Sequence, residues 1–185
     1  MSIVETPAQV AVETSPTQIN LDLYVGHWYE IQRYNSWFES SASTDNTATY
    51  TFDKDGVKVG VINRCNPHAW WRQSEVKGVA TVDHGNTSKL LIRFSSLGPL
   101  GHYWILKVGQ PSEWPEVYQW ALVGTPDRKY LWILSRRPYM NSDELEEAIA
   151  CARAQGFDVK KLVHVVHTDL EGTRELMLPN NVLNA

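Results

Sequence analysis

Six histidines and two cysteines are the residues here with the widest chemical repertoire. A metal or haem site needs such side chains to converge at a spacing that one strand or helix can supply. His27, His68, His84, His102, His164 and His167 form no clustered ligand motif, and His164 and His167 have opposite parity on a candidate strand. They read as solvated or capping side chains, and no metal or other cofactor is expected. Cys65 and Cys151 form neither a metal-ligand pattern nor a dense disulfide framework, which favours free thiols in a reducing compartment. Cys65 could act as a nucleophile only beside a His or basic group that lowers its pKa. None is identifiable in the sequence, so the stronger reading is a buried structural thiol.

Aromatic chemistry is better represented, with eight Trp and eight Tyr against four Phe. Both side chains carry a polar tip on an apolar body and suit a partly wet apolar cavity as well as a barrel core. Bulk properties narrow the setting. A chain of 185 residues, 43% hydrophobic and 21% charged, fits one globular domain. Its net charge of -4 and lack of a basic cluster argue against a nucleic-acid partner. No run reaches the roughly 18 apolar residues of a spanning helix, and the first residues lack the pattern of a secretory signal. As written, the chain reads as cytoplasmic or peripheral to a membrane.

Residues 1–17 mix Pro, Ser, Thr and isolated Val without a period and read as a flexible arm. A domain over 18–168 and a tail over 169–185 follow. Within the domain, strands are expected at 26–34, 46–53, 57–65, 70–82, 88–94, 102–108, 117–124 and 130–136. Leu90, Ile92 and Phe94 share one face against Lys89, Leu91 and Arg93, and Ala48, Tyr50 and Phe52 share one against three threonines. Val57, Val59 and Val61 likewise oppose Lys58 and Gly60, and Asp55-Gly56 marks a hairpin between the second and third strands. One helix is expected over 142–155, with Asn141 and Glu144 spaced as a capping box, an apolar stripe of Leu145, Ala148, Ile149 and Ala152, and Gly156 as its stop. Phe157 then supplies a hydrophobic contact and 161–167 reads as a short ninth strand. The fold class expected is all-β, an eight-stranded antiparallel up-and-down barrel with one C-terminal helix outside, because closure removes exposed edges.

The order Gly26-x-Trp28-Tyr29-Glu30-Ile31, then Thr125-Pro126-Asp127-Arg128-Lys129-Tyr130, then Leu131-Trp132-Ile133-Leu134-Ser135-Arg136 resembles the three signature blocks of the lipocalins. The likeness spans about residues 19 to 167. It is nearest to the subgroup of bacterial lipocalins, apolipoprotein D and plant temperature-induced lipocalins. The resemblance implies that Trp28 plugs the closed end of the barrel with Arg136 across its ring, a structural pair next to Gly26. It also implies an export signal and anchoring cysteine in bacterial members, and outer-membrane or extracellular relatives. Neither feature is seen in this sequence.

An eight-stranded barrel holds one small ligand, as in the lipocalins. By period-two parity and the family's strand order, the inward, ligand-binding set is Ala48, Tyr50, Val59, Val61, Leu90, Ile92, Tyr103, Ile105, Ala121, Val123, Tyr130 and Trp132, with Asn63 or Tyr hydroxyls to hold a polar head. The resemblance implies binding and transport of a fatty acid, lysophospholipid or similar lipid, without catalysis, in membrane lipid maintenance or stress response. A cavity-cysteine isomerase at Cys65, or a tetrapyrrole or carotenoid pigment binder, is the alternative. The segments 35–40 and 97–101 read as a lid over the cavity or as a rim touching a membrane. Trp114, between two prolines in 110–116, reads as a rigid loop tip or a contact surface, which leaves monomer and homodimer open.

Overall fold

The computed structural model describes residues 11–15, 18–36, 42–53, 58–67 and 73–168. A short helix α1 (Leu21–Tyr24) leads into strands β1 (Gly26–Tyr34), β2 (Thr44–Phe52), β3 (Val59–Asn66), β4 (Ser74–Asp83), β5 (Asn86–Arg93), β6 (Gly101–Val108), β7 (Trp120–Gly124) and β8 (Leu131–Ser135). Helix α2 (Ser142–Ala154), a 3₁₀ turn (Val159–Lys161) and β9 (Leu162–His164) complete it. Each strand from β2 to β8 pairs antiparallel with its neighbours, and β1 closes the ring by pairing with both β8 and β2. This is the expected eight-stranded barrel with one outer helix and a ninth strand.

Local chemistry explains the turns and ends. His84 and Gly85 both take positive φ, at 46° and 75°, and join Asp83 to its partner Asn86 in a two-residue hairpin whose twist suits the strands. Asp53 N–H donates to the Lys58 carbonyl at 2.8 Å, which closes the β2–β3 hairpin; the expected Asp55-Gly56 turn lies outside the described residues. Helix α2 ends as expected at Gly156, with φ 79°, where Gly156 N–H reaches the Arg153 carbonyl and Phe157 N–H the Ala152 carbonyl. Its start differs from expectation. Asn141 occupies the cap position but its side chain makes no capping bond, and Glu144 turns instead to Arg137 at 3.7 Å.

The apolar residues divide into two layers. An inner cluster fills the barrel, and an outer one lies where Ala148 and Ala152 of α2, with Phe157, pack on Ile31, Tyr34, Leu106, Leu122, Leu131 and Ile133. Part of the expected arm touches this outer layer: Val12 packs against it and Ser15 N–H donates to the Ile105 carbonyl at 3.0 Å. The tail over 169–185 lies outside the described residues.

Strand β1 changes neighbours along its length. Gly26 to Tyr29 pair with β2, whereas Gln32 to Tyr34 pair with β9. Between them Val165 N–H donates to the Ile31 carbonyl and Asp45 N–H to the Val166 carbonyl, so the chain after β9 bridges β1 and β2 where they part. The β1–β2 seam is thereby closed near α1 and open towards Tyr34 and Thr44.

Candidate functional site

The closed end is built from α1 and the start of β1. Trp28 is fully buried, its indole N–H donating to the Tyr24 carbonyl at 2.8 Å. Arg136 places its guanidinium carbon 3.8 Å from the Trp28 ring centroid and donates to the carbonyls of Leu23, Tyr24, Val25, His27 and Tyr118. Burial pulls Arg136 from 12.5 down to about 10, still charged at neutral pH. Gly26 has φ 108°, and a Cβ there would stand 3.1 Å from Arg136 Nη1.

Above this floor the inward residues gather. Ala48, Tyr50, Val59, Val61, Leu90, Ile92, Tyr103, Ile105, Ala121 and Val123 are all buried in the inner cluster, with Trp132 packed against it. Tyr130 sits just before β8, half-buried, with its ring stacked on Trp132 at 5.7 Å and 14°. Phe52 and Phe94, at the ends of their strands, are 36% and 44% exposed, because parity continues past the point where there is an interior to face. Phe94 keeps its parity and packs over Gly78, the register partner of buried Val61, where a Cβ would meet its ring at 2.8 Å.

The aromatic side chains form a continuous column up the inner wall. Trp28 meets Tyr24 at 5.1 Å, Tyr24 meets Tyr50 at 5.7 Å, Tyr50 meets Tyr103 at 5.8 Å, and Tyr103 meets Trp132 at 6.5 Å. Three hydroxyls lock its base: Tyr24 and Tyr103 share a hydrogen bond of 2.7 Å, and the Tyr50 hydroxyl donates to Tyr103 at 2.9 Å. Burial pushes Tyr24 and Tyr103 well above the ordinary phenol range, so these are neutral hydroxyls.

The open half contains polar residues that sequence reasoning missed. Glu30 and Arg33 are 4% and 1% exposed, and their register partners Leu134 and Trp132 show that both face inward. They pair at 3.6 Å, and Arg33 also donates to the Ser43 hydroxyl at 2.9 Å and the Tyr34 carbonyl at 3.2 Å. A bulge between Glu30 and Gln32 shifts the parity, which is why simple alternation from Trp28 does not reach Arg33. Asn46 is 1% exposed and neither its amide nitrogen nor its oxygen has a partner. Its parity with Ala48 and Tyr50 was readable in the sequence. Asn63, which the sequence did single out, is half-buried, with its side-chain oxygen buried and also unpartnered.

Both cysteines are half-buried, Cys65 near the open end of β3 and Cys151 on α2. Among the described residues no three His, Cys, Asp or Glu side chains converge as a metal site. His167, expected to be solvated or capping, is buried and bonds the Glu30 carbonyl at 2.9 Å through Nε2, while His68 lies outside the described residues. A polar groove of about 580 Å³ runs outside the barrel between His27, Tyr29, Asp45, Thr47, Arg64, Glu75 and His167. The segment at 97–101 does not form a lid over the inner cluster: Leu97 is 96% and Leu100 49% exposed, and Trp37 lies outside the described residues.

A closed antiparallel barrel with an aromatic inner wall, sealed at one end and polar towards the other, defines the class of barrel proteins that enclose a small molecule. The family model described as a lipocalin-like domain matches residues 19–167. The chain belongs to this family. Its relatives fall in the expected subgroup: it is 39% identical over 145 residues to the outer membrane lipoprotein Blc of Escherichia coli K12, covering 77% of this chain and 76% of that one. It is also 31% identical over 157 residues to temperature-induced lipocalin-1 of Arabidopsis thaliana, covering 82% and 81%. Among solved structures, the cockroach allergen Per a 4 superposes with a TM-score of 0.65 at 17% identity, over 86% of this chain and 96% of that one, a likeness of fold. Membership of the family fits the binding of a small hydrophobic ligand.

Proposed function

We propose that the protein binds and carries a lipid-sized apolar molecule in the open half of its barrel, without chemical turnover. The observation that carries this reading is the aromatic column, which rises from a hydroxyl-locked base at Tyr103 through Trp132 to half-buried Tyr130 at the mouth. Such a wall accepts an acyl chain or another elongated or flat molecule. Ten buried methylenes would offer about 8 kcal/mol before the cost of immobilising ligand and loops, so longer chains or the aromatic contacts must supply the rest of a micromolar affinity. Ala48, Tyr50, Val59, Val61, Leu90, Ile92, Ile105, Ala121 and Val123 form the apolar lining in this reading. Native mass spectrometry of protein from its own source, with extraction of the bound molecule, tests it. A co-purifying lipid supports the reading; no bound molecule, together with no fluorescence response to long-chain lipids, overturns it.

A second reading concerns loading. Val76, Phe94, Leu97 and Leu100 are exposed apolar side chains on strands and a loop at the open end, which favours contact with a membrane surface during ligand exchange. On that reading the protein acts in membrane lipid maintenance. Co-sedimentation with lipid vesicles should be lost in Leu97→Ser and Leu100→Ser variants that keep full affinity for a soluble ligand. Equal sedimentation of variant and parent would rule the contact out.

A further inference from the structure

We propose that Asn46 and Asn63 form a neutral hydrogen-bonding subsite for the head of the bound lipid, selecting a hydroxyl-headed molecule such as a monoacylglycerol over a free fatty acid. The inference rests on the cavity reading above and names the ligand's head chemistry. Asp45 and Thr47 both line the outer groove, so Asn46 between them faces the interior. Arg64 lines the same groove, which places Asn63 beside it on the inner face. Ala48 pairs with Asn63 and Asn46 lies two residues before Ala48, beside the register shift between Thr44 and Thr47, which sets both amides at the same end of the β2–β3 inner wall.

The unmet atoms specify the partner. Asn46 presents an unpartnered oxygen and nitrogen at 1% exposure, and Asn63 an unpartnered oxygen. Two acceptors and one amide donor call for a group that both donates and accepts, which a hydroxyl does and a carboxylate does not. Charge points the same way. Glu30 and Arg33 both face the interior from β1, and the Glu30 carboxylate faces Arg33 at 3.6 Å. The two charges offset each other, so an added carboxylate would bring a further buried negative charge into the same interior. A hydroxyl head brings none.

An unpaired buried amide also destabilises the empty barrel, since its polar atoms lose water and gain nothing. Replacing Asn46 by an apolar residue should therefore help the unliganded fold while harming recognition of the head. A purely structural asparagine would do the reverse.

The test uses delipidated full-length protein at pH 7, with 1-monolauroylglycerol and laurate competing against the apolar probe N-phenyl-1-naphthylamine. The glyceride should bind about tenfold or more tighter than laurate, as one or two extra hydrogen bonds allow. Asn46→Leu should erase that preference, leave probe and laurate affinity within about twofold, and keep or raise the melting temperature by about 2 to 4 °C. Asn63→Leu, at a half-buried position, gives the same readout if Asn46→Leu does not fold. Laurate binding as tightly as the glyceride, or a preference that survives both substitutions, overturns the subsite while leaving the cavity reading in place. Failure of the probe itself to bind the parent protein would sink the cavity reading and the subsite together.

Discussion

Arg136 lies over Trp28, 3.8 Å from its ring centroid, and at the same time donates to three successive carbonyls of Leu23, Tyr24 and Val25. Trp28 returns the connection through its indole N–H to Tyr24. The pair therefore joins α1, β1 and the end of β8, and α1 in turn delivers Tyr24 to the hydroxyl network at the base of the inner wall. The cation–aromatic contact itself contributes about 0.5 to 2 kcal/mol. Most of the pair's influence comes from what it holds in place.

Trp28→Ala should accordingly cost about 3 to 5 kcal/mol of stability, as large buried aromatic truncations do. Ligand preference should change little, because Tyr24, Tyr50 and Tyr103 lie between Trp28 and the rest of the column. Urea unfolding and ligand titration on the same variant measure the two effects separately. A sharp change in preference would move Trp28 from the plug to the pocket.

Gly26 is held by two independent constraints, a φ of 108° and the 3.1 Å approach of Arg136 Nη1 to its missing Cβ. Gly26→Ala should destabilise by about 1 to 3 kcal/mol through backbone strain alone. The close approach adds a further cost that disappears when Arg136 is shortened. A double-mutant cycle with Arg136→Ala should therefore be less than additive, and strict additivity would show that the guanidinium does not press on this site.

The straight, evenly alternating strands were legible because side-chain direction follows a period of two that needs no tertiary information. Ala48, Tyr50, Leu90, Ile92, Tyr103 and Ile105 all reach the inner cluster for this reason. Where the backbone departs from that period, the sequence pattern loses its meaning. The bulge after Glu30 turns Arg33 inward, and nothing in the run Glu30-Ile31-Gln32-Arg33 marks it. Strand ends fail differently: Phe94 keeps its parity but runs out of interior, and its ring settles over Gly78. The bridge of Val165 and Val166 between β1 and β2 depends on residues more than 100 positions apart, a relation that local periodicity cannot carry.

That bridge gives the fold a pH dependence. Burial pushes His167 below its usual 6.5, with His164 lowering it further, although the Glu30 carbonyl and Asp45 act the other way. A lowered folded pKa means the unfolded chain binds the proton more readily, so stability is full above about 6.5 and falls as pH drops through the folded value. His27 is lowered too, chiefly by burial, and works in the same direction. Asp45 does not share this window. Burial raises it, but hydrogen bonds from Thr168, Thr44 and Asn66 prevail and hold it below 3.8, so its contribution is lost only in stronger acid. Melting temperature should thus fall between about pH 7 and 5, and His167→Gln should flatten part of that fall. An unchanged slope in the variant would remove His167 from the account.

Trp132 and Tyr103 occupy neighbouring positions in the column, yet their substitutions should separate stability from binding. The Tyr103 hydroxyl bonds both Tyr24 and Tyr50, so Tyr103→Phe leaves those buried hydroxyls short of a partner and should cost about 1 to 3 kcal/mol of stability. Its ring remains, and affinity for an apolar ligand should stay close to that of the parent. Trp132 is only half-buried and sits between Tyr103 and Tyr130 on the wall facing the open half. Trp132→Ala should therefore destabilise less than Trp28→Ala while weakening ligand binding by about tenfold, the effect of losing a large apolar contact surface. Fluorescence offers an internal check, because among the described residues Trp132 is the tryptophan of this wall and Trp28 lies beneath the tyrosine base. The ligand-induced emission change should largely vanish with Trp132→Ala and survive Trp28→Phe. If the two variants lost it equally, the ligand would have to reach the closed end, and the tyrosine base would be part of the pocket rather than its floor.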